Sequence, residues 1–128
     1  MEWSIEFKKD KNYVKVTLTG IFNASEHLRM IEDVVSQKYW KSGMNLLLDS
    51  RLVDYSKATL EVMRQAGSNM SRFESQIGPG KAAVLMATVF EFGKGRQFEM
   101  LAEDKSPANI RIFLDEAQAL LWLAALES

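Results

Sequence analysis

The sequence predicts an α/β domain with a mixed sheet, and three observations carry that reading. Two short segments near the start alternate apolar and polar residues, two later segments are continuous apolar runs, and helical spacing fills the intervals. Alternation marks a strand with one buried face. An unbroken short run marks a strand covered on both faces, the habit of parallel strands under helices. The order is β-β-α-β-α-β-α-β-α in a single domain spanning residues 1–128. An antiparallel hairpin comes first, and parallel strands follow behind right-handed crossovers.

Trp3, Ile5 and Phe7 alternate with Ser4, Glu6 and Lys8; Lys9-Asp10-Lys11-Asn12 is a turn by composition; Tyr13 to Thr19 resumes with Val14, Val16 and Leu18 inward. Gly20 ends the hairpin. Asn23 and Glu26 have capping-box spacing and open a first helix, in which Ala24, Leu28, Ile31 and Val35 recur on one side. Lys41-Ser42-Gly43 closes that unit and leads to the central strand, Met44-Asn45-Leu46-Leu47-Leu48, which ends in Asp49 and Ser50.

An irregular polar connection from Arg51 to Ser56 is expected next, then a helix from about Lys57 to Ser75 with Met63, Ala66, Met70, Phe73 and Ile77 in one stripe. Gly67 beside that stripe suits close backbone packing, at about 1 kcal/mol of helix propensity relative to Ala. Ile77-Gly78-Pro79-Gly80 breaks the helix, and Ala82 to Ala87 is a second fully buried strand. Phe90 to Phe98 leads into a helix that uses Phe98, Leu101 and Ala102 and stops at Ser106-Pro107, because the residue before proline is pushed out of the α region. Ile110, Ile112, Phe113 and Leu114 form the last strand. Asp115 and Gln118 then open a final helix with Ala117, Leu120, Leu121 and Ala124 on one face.

Composition excludes several classes of function. Lys+Arg 16 against Asp+Glu 17 leaves no excess of positive charge for neutralising phosphates, so no nucleic-acid partner is expected. The absence of Cys removes disulfides, thiolate metal sites and thiol catalysis, and a single His, His27, cannot build a histidine zinc site; neither metal nor cofactor is expected. No stretch approaches the ~20 apolar residues of a membrane span, and residues 1–9 alternate without a hydrophobic signal core. The expected compartment is the cytoplasm.

Four stretches carry a family resemblance: Leu46-Leu47-Leu48-Asp49 before a polar loop and helix; Gly78-Pro79-Gly80-Lys81 leading into Ala83-Val84-Leu85; Phe92 to Phe98; and Arg111 to Leu120 with Leu121-Trp122-Leu123 after it. Read with the order of elements, they resemble the SpoIIAA-like branch of the STAS superfamily, the sulfate-transporter and anti-sigma-factor-antagonist domains. The resemblance implies a bacterial, non-enzymatic regulatory module that binds a protein partner. In the anti-sigma antagonists, a Ser or Thr at the start of the helix after the central strand is phosphorylated by a partner kinase. Free N–H groups and the helix dipole favour an added dianion there. Where those proteins carry an Asp-Ser-Ser/Thr-Gly run, this chain has Tyr55-Ser56-Lys57-Ala58-Thr59-Leu60. Ser56 and Thr59, with Asp49, Ser50 and Asp54 nearby, match the region and not the motif.

Each candidate also has a plainer reading. Ser56 has the chemistry of a helix N-cap. Asp49 and Asp54 suggest paired carboxylates, or solvated loop acids. Gly93-Lys94-Gly95-Arg96 suggests an anion contact through Lys94 and Arg96, but it lacks the third glycine of a dinucleotide fingerprint and reads as a mobile loop. His27 reads as an exposed surface histidine. Met63, Met70, Phe73, Phe90, Phe92 and Phe98 could line a pocket between helices for a small apolar or lipid-like ligand, and some relatives of the family are grouped with lipid-binding domains; the same spacing serves an ordinary core. Trp122, Leu123 and Leu126 put apolar area on further faces of the last helix, which points to a homodimer.

Overall fold

Alternation in the first twenty residues produces the expected hairpin. β1 (Glu2–Lys8) and β2 (Tyr13–Ile21) pair antiparallel from Glu2↔Thr19 to Lys8↔Tyr13. A 3-10 turn at Lys9–Lys11 joins them and ends at Asn12 with φ 56°, a left-handed conformation that asparagine tolerates. The structure, a computed structural model, describes residues 1–103, 106 and 108–125. Leu126 therefore lies outside the described residues, as does Pro107.

Three strands add in parallel, β3 (Asn45–Asp54), β4 (Lys81–Leu85) and β5 (Asn109–Phe113), in the order β1-β2-β3-β4-β5. Each new strand is laid beside the last on the same side, so right-handed crossovers place their helices on one face. These are α1 (Ala24–Val35), α2 (Leu60–Arg72) with the single turn α3 (Glu74–Ile77), and α4 (Val89–Ala102). The last helix, α5 (Glu116–Ala124), folds back over the opposite face against β3, β4 and β5.

The sheet therefore has two unequal cores. On the helix-rich face Val16, Leu46, Val84 and Ile112 pack against Met30, Ile31, Met63, Met70 and Phe98. On the other face Tyr13, Leu47, Ala83 and Leu85 pack against Ala119 and Leu123. Each fully buried Val, Leu or Met side chain contributes roughly 1.5–3 kcal/mol of transfer free energy. Among the described residues, no helix is long and apolar enough to cross a membrane.

Three elements depart from the sequence reading. β3 does not end at Asp49 but runs on to Asp54, so Arg51–Asp54 is strand and not an irregular connection. A bulge makes this possible: Thr17 pairs with Asp49 and Thr19 with Leu52, leaving Ser50 and Arg51 opposite Leu18 alone. Past β4, the ends of β2 and β3 continue together as a two-stranded ribbon, with Ile21↔Asp54 its last pair. Second, α2 begins at Leu60 and not near Lys57. Third, α4 begins at Val89 behind the Thr88 cap, so Gly93-Lys94-Gly95-Arg96 lies inside a helix and is not a loop.

The physical reason for the third is close packing. A Cβ on Gly95 would lie 2.9 Å from Ile112 Cγ2 and 3.0 Å from Met86 Cε, so its absence lets α4 press onto the sheet. Gly67 plays the role expected of it: a Cβ there would lie 3.1 Å from the backbone of Leu101, where α2 and α4 approach.

Candidate functional site

The chemistry divides along β3, because successive side chains point to opposite faces. Asp49 faces the α5 layer and Ser50 the helix-rich layer. Asp49 is only 8% exposed; it accepts from Arg51 Nε at 2.9 Å and Arg51 Nη2 at 2.7 Å. This paired guanidinium holds its carboxyl below the usual range, and Asp49 in turn raises Arg51. Arg51 Nη2 also donates to Glu116 Oε1 at 2.9 Å, and Lys15 Nζ lies 3.8 Å from Glu116 Oε2. Asp49 is thus locked in a charge network, and it is no solvated loop acid. Asp54 stands five residues on, about 16 Å along an extended strand. The two carboxylates do not form a pair.

Asp54 instead organises the turn into α2. Its Oδ1 accepts from the Ser56 N–H at 2.8 Å, and the Ala58 N–H donates to the Tyr55 carbonyl at 3.0 Å. The cap of α2 is Thr59, whose Oγ1 accepts from the Val62 N–H at 3.2 Å. Ser56 is therefore not the cap; it sits in the turn ahead of it. Asp54, Ser56 and Thr59 are exposed, while Asp49 and Ser50 are buried. Lys94 Nζ reaches this turn from α4 and donates to the Ala58 carbonyl at 2.8 Å, whereas Arg96 pairs with Glu99 at 2.8 Å. The two basic groups do not converge.

His27 is buried, at 5% exposure, which corrects the surface reading. It lies between the rings of Phe22 (5.7 Å) and Phe98 (5.5 Å, edge-on). Asn69 Nδ2 donates to the Ala24 carbonyl at 2.9 Å, which fixes the amide orientation, and its second hydrogen faces His27 Nδ1 at 3.1 Å. Nδ1 is therefore an acceptor and the proton resides on Nε2. Burial pushes the imidazole down to about 4, so it is neutral at pH 7.

A cavity of about 30 Å³ lies beside His27, with Ser50, Tyr55, Met63, Met86 and Phe98 among its walls. Tyr55 is 4% exposed and stacks on Phe22 at 5.0 Å; burial pushes its hydroxyl up to about 12, against an opposing pull from the Ser50 side chain. A second void of about 20 Å³ continues along the sheet between Met70, Ile77 and Ile110, and His27, Met30 and Phe98 wall both. Of the six expected pocket residues, Met63, Met70 and Phe98 line these voids. Phe73 and Phe92 pack at the margin of the core, and Phe90 points outward, 69% exposed, from the first turn of α4.

The outside of the same region is apolar. Ile21, Leu52, Leu60, Val89, Phe90 and Leu114 are exposed, and all sit where the parallel strands end or the following helices begin. Among the described residues, the other exposed large apolar side chains are Met100 and Leu121. Apart from Leu121, the last helix covers its large apolar side chains internally: Leu123 is buried, and Trp122 meets Phe113 at 5.6 Å with Lys81 and Arg111 over its ring.

Sequence reasoning missed Phe22, Tyr55 and Leu52. Phe22 and Tyr55 each follow the end of a strand, and the ribbon that brings them together depends on a bulge with no signature in composition.

No protein-family model matches the chain, and no curated protein matches it. Among solved structures it is similar to an uncharacterized protein of the DUF3478 family with a SpoIIAA-like fold, from Shewanella loihica PV-4. That similarity has 16% identity and a TM-score of 0.59, and it covers 95% of this chain and 92% of the other. Its reach over nearly the whole of both chains, with the antiparallel hairpin, parallel strands and helix layers described above, identifies this chain as having a SpoIIAA-like fold.

Proposed function

We propose that the chain is a non-enzymatic regulatory module of STAS type, working in the bacterial cytoplasm by docking a protein partner on the carboxyl edge of its sheet. The observation that carries this reading is the exposed apolar rim of Ile21, Leu52, Leu60, Val89, Phe90 and Leu114. Clustered apolar side chains at the end of an α/β sheet where ligands ordinarily collect favour an interaction surface. Asp49, locked by Arg51, supports a binding role over acid–base chemistry. A photo-crosslinking residue placed at position 52, 90 or 74 tests the reading in cells. The same partner is expected from 52 and 90 and none from exposed Glu74 at the other end; equal products from all three overturn it.

The regulatory part of the reading points to Thr59 more than to Ser56. Thr59 is exposed at the N-cap of a thirteen-residue helix, where a phosphate would meet free N–H groups and the dipole. Intact mass and fragmentation of the purified protein, with and without phosphatase, locate any such group. The homodimer keeps Leu121 of α5 as support, 68% exposed; native mass decides it.

A second reading, a carrier or sensor of a small ligand held between helices and sheet, is favoured by the two adjoining voids walled by His27, Met30 and Phe98. At about 30 and 20 Å³ they fall far below the roughly 300–1,000 Å³ of pockets for larger ligands. This reading therefore excludes long-chain lipids in the present conformation.

A further inference from the structure

We propose that the cavity beside Tyr55 is a binding site for a small neutral amphiphile, whose hydroxyl oxygen accepts from His27 Nε2–H while its proton goes to the Ser50–Tyr55 pair. This inference rests on the carrier or sensor reading and gives its ligand a chemical class.

The polar end of the site is defined by hydrogen-bond bookkeeping. Asn69 takes up Nδ1, so Nε2–H is a donor; no protein acceptor is bonded to it among the described residues, and His27 stands in the cavity wall. A donor that opens on a polar-walled cavity takes its acceptor from a water or a ligand. Ser50 and Tyr55, whose side chains line the same cavity, offer the complementary acceptor oxygens. A hydroxyl group both accepts and donates and fits between them. Nearby, Glu91 Oε2 is buried without a partner among the described residues, and the Glu91 charge acts on Tyr55. No cationic side chain lines the cavity, so an anionic head would meet Glu91 without compensation. The head group is neutral.

The rest of the site is apolar and adaptable. Met30, Met63 and Met86 wall the cavity, and Met30 and Phe98 also wall the neighbouring void. Methionine has three rotatable bonds and repacks at little cost, so movement of Met30 joins the two spaces into one slot along the sheet. The stacked rings of Phe22 and Tyr55, each just beyond the end of its strand, close the slot toward the carboxyl edge. At about 30 and 20 Å³ the two spaces admit a short tail only as the methionines move aside, and no long acyl chain.

The test uses n-butanol and xenon on the full chain, observed by the imidazole nitrogen resonances of His27 and the methionine methyl resonances. Expected are an Nε2–H tautomer, a saturable shift of that resonance with n-butanol, and about fivefold weaker n-butanol binding in Tyr55→Phe with xenon binding unchanged, the size of one lost hydrogen bond. Ser50→Ala gives the same pattern and guards against a folding defect in the first variant. If xenon enters the methionine-lined space but n-butanol leaves His27 unmoved, the polar-head site is overturned while an apolar carrier survives. If neither probe produces a saturable shift, both fall.

Discussion

The two edges of the parallel strands are built in different ways. At the amino edge, backbone and polar side chains hold one another by direct contacts beneath an open surface cleft of about 300 Å³. Gly80 has no room for a Cβ, which would lie 2.6 Å from the carbonyl oxygens of both Gly43 and Met44. Asn45 accepts from the Lys81 N–H at 3.0 Å and donates to the Leu123 carbonyl at 3.1 Å. Lys81 Nζ donates to the carbonyls of Trp122 and Ala125, at 2.8 and 2.7 Å, placing a positive charge at the negative end of the α5 dipole. At the carboxyl edge, large apolar side chains face solvent, a ribbon projects past the sheet, and Glu91 Oε2 is buried without a partner among the described residues. Glu99 Oε2 and the exposed Met100, farther along α4, are isolated exceptions; the clustering of six exposed apolar side chains at the carboxyl edge marks that end as shaped by something besides folding.

The sharpest way to break the comparison is Gly80→Ala. Its methyl group would press on two backbone oxygens that cannot swing aside as a side-chain tip would. A loss of about 3 kcal/mol is expected, as for severe overpacking. Urea denaturation checks it through a lowered midpoint at unchanged slope. A loss below about 1 kcal/mol would mean that the amino edge is no stiffer than the other.

Next in size is the pH response of the layer under the carboxyl edge. The unfolded His27 binds its proton near pH 6.5 and the folded one only near 4, so between these values the unfolded state holds more protons. Stability is complete above 6.5, falls as pH drops through that value and levels off below 4. From pH 7 to pH 4.5 the expected loss is about 2.5 kcal/mol. His27 is the only histidine, so the upper part of this slope flattens in His27→Gln. An unchanged slope in that variant would place the titration elsewhere.

How much of this was legible follows the same division. The order of elements, the hairpin, the buried runs and the caps at Asn23 and Asp115 were readable because each rests on spacing within one segment. Gly67 was readable for the same reason. The site depended on relations between segments. The bulge at Ser50 and Arg51 is a mismatch between two strands and cannot be found from one of them. His27 had a signal that went unused: with Met30, Ile31 and Val34 it forms the i, i+3, i+4, i+7 pattern of a buried face, and all four are buried. Its charge class outweighed its position. At Ser56 the chemistry of a cap was right and the place was wrong, because the longer strand β3 and the turn held by Asp54 delay the helix to Thr59.

That last point is open to measurement. Thr59→Ala removes the side-chain acceptor for the Val62 N–H and is expected to cost about 1 kcal/mol. Ser56→Ala leaves the backbone bond to Asp54 in place and is expected to lie within about 0.5 kcal/mol of wild type. Chemical denaturation of the two variants side by side distinguishes them. The reverse order would restore the earlier helix start near Lys57.

The smallest effect on folding is expected where the largest effect on binding is. Leu52, 71% exposed, and Phe90, 69% exposed, bury little area in the folded chain. Replacing either by Ser removes few internal contacts and should change stability by no more than about 0.5 kcal/mol. The same exchange also strips apolar area from the rim, and truncating a central aromatic anchor typically weakens an interface by about 2 kcal/mol or more. Folding and docking are thus separable at this edge, whereas at Gly80 any loss of binding would accompany a loss of structure. The check pairs urea denaturation of Leu52→Ser and Phe90→Ser with their capture of the partner crosslinked from position 90 or 52. Unchanged stability with lost capture assigns the rim to a partner. A large loss of stability would instead make these side chains part of the fold, and the contrast between the two edges would disappear.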